Sequence, residues 1–128
     1  MTKLIIQTPC FNESATLPLV LADLPKQLAG IECIETLVID DGSRPGTADL
    51  AKRSVVTHIV TDRVNQGLAA AFATGLEESL RQGATIIVNT DGDDQYPGRF
   101  VADLIQPILS GRADVVSHDT IGRQAKEW

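Results

Sequence analysis

Two aspartates separated by one glycine, Asp91-Gly92-Asp93, close an apolar run, and Asp94 and Gln95 follow them. In extended backbone, residues two apart direct their side chains to the same side. Two carboxylates so placed repel each other unless a cation lies between or near them. A hard, oxygen-binding ion such as Mg2+ or Mn2+ suits the pair and keeps positions open for phosphate oxygens. Gly92 lets backbone approach a ligand closely, and Gln95 can offer the metal another oxygen. The same residues also read as a solvated acidic turn, because lone Asp-x-Asp patterns are common.

Three further loops have the same polar character. Pro9-Cys10-Phe11-Asn12-Glu13-Ser14 includes Glu13, a ligand for ribose or base, or simply a favourable charge at the start of the next helix. Ser14 or Thr16 is the expected N-cap there. Asp40 and Asp41 alternate in direction, so at most one faces a pocket, where it would accept from a base N–H or ribose hydroxyls. Asp41-Gly42-Ser43 is also a strong turn sequence. Asn65 and Gly67 precede a helix and form either a turn near phosphate or an ordinary capped loop. Arg63 is the nearest cation for a diphosphate, or else a surface arginine. His58 falls in a predicted strand and His118 near the C-terminus, and neither has a partner that suggests catalysis.

The elements that carry these loops are legible from periodicity. Apolar runs at 4–8, 34–39, 55–60, 84–89 and 113–116 have the length and β-branched content of strands. Their near-continuous hydrophobicity predicts burial on both faces, as in a parallel sheet. Leu17, Val20, Leu21, Leu24 and Leu28 form one helical face; Leu68, Phe72, Leu76 and Leu80 form a second. Val101, Leu104, Ile105 and Ile108 form a third, with Pro97 near its start and Pro107 as an expected kink. A shorter helix is predicted over 47–53. Alternating strands and helices with short connections define an α/β layered fold. In open parallel sheets, ligands bind beyond the carboxyl ends of the strands, which is where all four polar loops fall.

Composition narrows the function. The chain has 128 residues, 43% of them hydrophobic and 22% charged, which suits one soluble domain with a real core. A net charge of −6 with scattered basic residues argues against nucleic acid as a partner. The same charge means that a diphosphate needs a local correction: a divalent cation, an arginine or a helix N-terminus. No apolar run reaches the roughly 18 to 20 residues of a membrane span, and no signal peptide opens the chain. Cys10 and Cys33 lack metal-ligand spacing and read as buried small apolar residues of a reducing compartment. The expected location is cytoplasmic, with peripheral attachment to a membrane left open. Residues 1–116 read as one domain, and residues 117–128, polar and aperiodic, as an irregular tail or an element cut off from a partner.

Together the four loops resemble the family 2 glycosyltransferases of the GT-A fold, which include the polyprenyl-phosphate sugar transferases. "IIQTPCFNES" is similar to the family's strand followed by P-x-[YF]-N-E, and "LVIDDGS" to its V-x-D-D-x-S. "NQGLAAAFATGL" is similar to N-x-G-x-x-x-A-x-x-x-G, and "VNTDGDDQYP" to D-x-D-x-Q. These pieces occur in the family's order over residues 3 to 116. The resemblance implies a three-layer, Rossmann-like GT-A domain with a mainly parallel sheet. It implies a UDP- or GDP-linked sugar as donor, with Pro9, Phe11 and Glu13 lining the nucleotide pocket. Asp40 or Asp41 would meet base or ribose, Asn65 and Gly67 would lie at the donor, and Asp91, Asp93 and Gln95 would hold the metal–diphosphate.

The acceptor implied by the resemblance is a lipid phosphate or a glycan, as in cell wall biosynthesis. Family members continue well beyond this length, and their second half carries the acceptor site. An inverting transfer needs a base for the acceptor hydroxyl, and residues 117–128 offer only Asp119. The chain thus reads as a fragment, a truncated copy or a reduced homologue, with homo-oligomerisation as one way to cover exposed apolar surface. Two rival readings stay open. One is a non-catalytic nucleotide-binding or interaction module of this fold. The other is a different metal–phosphate enzyme such as a nucleotidyltransferase, against which the lack of a Gly-rich basic loop after the first strand counts.

Overall fold

In the computed structural model, residues 2–10, 21–41, 56–62, 67–90, 100–114, 116–118 and 125–127 are described. Strands β1 (Lys3–Cys10), β2 (Cys33–Asp41), β3 (His58–Asp62) and β4 (Ile86–Asn89) form a sheet in the order β3-β2-β1-β4. All its pairings are parallel, with Lys3 opposite Cys33, Leu4 opposite Ile86, and Leu37 opposite His58. The chain moves outward from β1 through β2 to β3 and then returns to the other side of β1 for β4. The order therefore reverses between β1 and β4.

Both faces of the sheet are covered, which is why the strands read as unbroken apolar runs. On one face, Leu4, Ile6, Val38, Ile86 and Val88 pack with Leu21 and Leu24 and with Val101 and Ile105 of helix α2 (Phe100–Leu109). On the other, Ile5, Leu37 and Ile39 pack with Ala71 of helix α1 (Leu68–Arg81). Leu4, Ile5 and Ile6 are all fully buried, and each such side chain is worth about 1.5–3 kcal/mol of transfer free energy. The predicted three-layer α/β architecture is the one observed.

Helix α1 differs from its predicted face. The line meeting the sheet is Ala71, Gly75 and Ser79, one residue ahead of Phe72, Leu76 and Leu80. Phe72 is 40% exposed and Leu80 65% exposed. Small residues let this helix lie close to the strands, and they carry no hydrophobic signal from which sequence periodicity could be read. The helix stops where Gly83 adopts a φ of 84°, the left-handed conformation glycine takes without Cβ strain. Gly83 N–H donates to Leu80 O at 3.0 Å and Ala84 N–H to Ser79 O at 3.0 Å, which closes the helix in a Schellman turn.

Strand boundaries shift for related reasons. Because Ala84 is used in that turn, β4 begins at Ile86 rather than at 84. The strand expected at 113–116 does not join the main sheet among the described residues. Arg112 and Ala113 donate to Pro107 O at 2.9 and 3.1 Å to end α2, and the next described strand starts at Val116. There β5 (Val116–His118) pairs antiparallel with β6 (Ala125–Glu127). Helix α2 runs through Pro107 to Leu109. Cys33 is a free thiol, half-buried rather than buried, because it opens β2 at the amino end of the sheet. The side chain of Cys10 and the short helix predicted at 47–53 lie outside what is described.

Candidate functional site

The carboxyl edge of the sheet gathers the ends of all four parallel strands. Pro9 is buried near the end of β1, and Cys10 pairs with Asp40 of β2. Asp40 in turn pairs with Thr61, and Asp41 with Asp62, at the end of β3. Asp40 is only 3% exposed. Burying a carboxylate is costly without a polar partner, and Asp40 has one. Asp41 follows it as the last residue of β2. Of the expected donor residues, Pro9, Asp40, Asp41 and Gly67 are therefore brought to one edge. Phe11, Glu13, Arg63, Asn65, Asp91, Asp93 and Gln95 lie outside the described residues.

Gly67 caps α1 from this edge with φ 98° and ψ 165°, a conformation essentially confined to glycine. Its carbonyl accepts from Ala71 N–H at 3.1 Å. The first turn of α1 contains no acidic residue, so no carboxylate there offsets the positive end of the helix dipole.

A connected set of polar contacts lies beside the reversal in strand order. Gln7 is fully buried in β1. Its Nε2 donates to Asn89 Oδ1 at 3.0 Å and to Phe72 O at 3.3 Å, while Ser79 Oγ donates to its Oε1 at 3.2 Å. One carboxamide thus ties β1 to β4 and to α1. The next residue, Thr8, is also fully buried, and its hydroxyl lies 2.7 Å from that of Thr90. Thr90 N–H donates to Gln7 O at 2.8 Å, carrying the inter-strand bonding one residue past β4. Asp91 is the next residue in the chain.

Sequence reasoning passed over Gln7 and Thr8. The available signal was a glutamine inside the apolar run "LIIQTP", since a polar residue in a doubly covered strand must find partners. His58 does have a partner, but at the opposite edge. Its Nε2 lies 3.0 Å from Glu35 Oε1, which is also 3.6 Å from Lys3 Nζ. Among the described residues, no group of three His, Cys, Asp or Glu side chains is arranged to hold a metal. None of the described helices is long and apolar enough to cross a membrane.

A doubly covered parallel sheet whose order reverses beside a polar edge defines an open α/β domain, a class whose ligands bind beyond the strand ends at the switch point. The family follows from comparison with known proteins. Residues 5–128 match the model of glycosyl transferase family 2, and the chain belongs to that family. An uncharacterized protein of Methanocaldococcus jannaschii is 32% identical over 110 residues, covering 84% of this chain and 42% of that protein. Polyprenol monophosphomannose synthase of Mycolicibacterium smegmatis is 26% identical over 133 residues, covering 98% of this chain and 49% of the synthase. The chain thus spans about half the length, or less, of these relatives. Among solved structures, glucosyl-3-phosphoglycerate synthase of Mycobacterium tuberculosis, in complex with Mn2+, UDP and glucosyl-3-phosphoglycerate, superposes with a TM-score of 0.66. At 22% identity it covers 85% of this chain and 40% of its own, and the shared fold is GT-A.

Proposed function

We propose that this chain binds a nucleoside-diphosphate sugar through a divalent cation and serves sugar transfer to a lipid phosphate or glycan acceptor. The observation that carries the reading is the position of Asp91-Gly92-Asp93. It follows directly on Thr90, which is bonded to β1 at the switch point where open α/β sheets bind their ligands. Asp91, Asp93 and Gln95 form an all-oxygen donor set, the chemistry that Mg2+ or Mn2+ takes. When bound, such a cation screens the diphosphate from an acidic protein and stabilises the departing nucleoside diphosphate as a Lewis acid.

The remaining roles belong to the chain's own residues. Pro9, Phe11 and Glu13 would line the nucleotide, and Asp40 or Asp41 would meet base or ribose. Asn65 and Gly67 would lie by the diphosphate, near the start of α1. Donor binding on this reading belongs to residues 1–116. The Mn2+ and UDP held by the M. tuberculosis synthase support the donor class, and the polyprenol substrate named for the M. smegmatis relative supports a lipid-phosphate acceptor.

Calorimetric titration of UDP and GDP, each with and without Mn2+, tests the proposal. Binding is expected only with Mn2+, and it is expected to disappear in Asp91→Ala and Asp93→Ala variants that remain folded. If neither nucleotide binds in the presence of Mn2+, the reading is wrong.

A further inference from the structure

Building on that donor site, we infer that Gln7, Thr8, Asn89 and Thr90 are positioning residues, which hold the end of β4 in the one register that presents Asp91 to the cation and the diphosphate. The argument begins with cost. A carboxamide with no solvent exposure loses its hydration, and an apolar side chain would pack between β1 and α1 without that penalty. Gln7 instead meets three groups on two other elements: Asn89 at the end of β4, and in α1 the Phe72 carbonyl and the Ser79 hydroxyl about two helical turns further on. Gly75 leaves room for it, since a Cβ there would come within 2.8 Å of its carboxamide carbon, oxygen and nitrogen.

Position in the strands separates this network from generic core polarity. Among the described residues, β4 joins the hydrophobic core through Ile86 and Val88. Beyond Val88 the described side-chain contacts are polar: Gln7 with Asn89 on the α1 face, and Thr8 with Thr90 on the α2 face. The Thr90 N–H bond to Gln7 O completes the set. Side chains on both faces of the sheet thus grip two consecutive residues immediately ahead of Asp91. Dispersion packing tolerates sliding and rotation, whereas hydrogen bonds weaken steeply with angle. A pair of carboxylates that must share one ion requires that directional hold.

The test compares the full chain with Gln7→Leu, Thr8→Val and Thr90→Val variants. Glu35→Gln serves as a control that disturbs ion pairs at the amino end of the same sheet. Mn2+ binding is read by electron paramagnetic resonance in the presence of saturating UDP or GDP, and stability by urea denaturation. We expect each of the three variants to bind Mn2+ about tenfold or more weakly, the loss typical when a residue supporting a metal ligand is removed. Glu35→Gln should lose stability with Mn2+ affinity unchanged. Should Gln7→Leu fail to fold, the Thr8→Val and Thr90→Val variants carry the test, because they exchange one hydroxyl for a methyl of similar size. Unchanged Mn2+ affinity in folded variants overturns this inference and leaves the donor site standing. Absence of Mn2+ and nucleotide binding in the unaltered chain overturns both.

Discussion

Replacing Gly75 by alanine sets two effects of known size against each other. Gly75 lies in the interior of α1, where alanine is favoured over glycine by about 1 kcal/mol. Backbone propensity alone therefore predicts a more stable protein. The added methyl, however, would sit 2.8 Å from Cδ, Oε1 and Nε2 of Gln7. That side chain has no room to retreat, because it is fully buried and bonded to Phe72 O, Ser79 Oγ and Asn89 Oδ1. Either α1 lifts from the sheet, at an overpacking cost of about 1–3 kcal/mol, or the carboxamide turns away. Turning away sacrifices bonds worth about 1 kcal/mol each and strands buried polar groups at a further 1–3 kcal/mol. The cheaper of the two responses sets the cost, so after subtracting the helical gain we expect Gly75→Ala to lower stability by up to about 2 kcal/mol. At the unfolding entropy usual for a domain of this size, that corresponds to a Tm lower by up to roughly 7 °C. Thermal and urea denaturation followed by circular dichroism measure it. Repeating the substitution in a Gln7→Ala background isolates the contact: with the carboxamide gone, the methyl has space and most of the penalty should vanish. A Tm that rises in Gly75→Ala, or a penalty of equal size in both backgrounds, would refute the reasoning.

Two other substitutions separate backbone effects from packing. Gly67→Ala meets no atom within 4 Å of its new Cβ, yet the residue has φ 98°. A loss of about 1–3 kcal/mol from backbone strain alone is expected in urea denaturation, and an unchanged midpoint would show that the α1 cap relaxes freely. Leu80→Lys removes an apolar side chain that is 65% exposed. It should alter stability by less than about 0.5 kcal/mol; a loss of several kcal/mol would mean that the face of α1 carrying Leu80 is covered in the folded protein.

Much of this protein is legible in one dimension. A sheet covered on both faces makes its strands continuously apolar, so the runs beginning at Leu4, Ile34 and Ala84 announce both strand and parallel sheet without reference to a partner. Polar loops at the ends of those runs marked the carboxyl edge of the sheet, because the chain direction of parallel strands brings their carboxyl ends together. Asp40 and Asp41 end β2 there, opposite Thr61 and Asp62 of β3. Family membership was likewise readable, since its motifs are local strings.

Other features depend on which elements become neighbours. The reversal between β1 and β4 puts residues 82 positions apart side by side, and only that adjacency reveals the bonds from Gln7 to Asn89 and from Thr8 to Thr90. Helix α1 shows the same limit from the opposite direction. Leu68, Phe72, Leu76 and Leu80 form a regular apolar series, but the side facing the sheet is the one small enough for close approach: Ala71, Gly75 and Ser79. Periodicity records hydrophobicity along a chain; which side of a helix is buried depends on the shape and hydrogen-bonding needs of the surface it meets. Asp91-Gly92-Asp93 was evident from spacing alone. That the chain enters it from two residues, Asn89 and Thr90, held on opposite faces of the sheet was decided by the tertiary fold, because hydrogen bonds of that kind exist only once the strands lie in register.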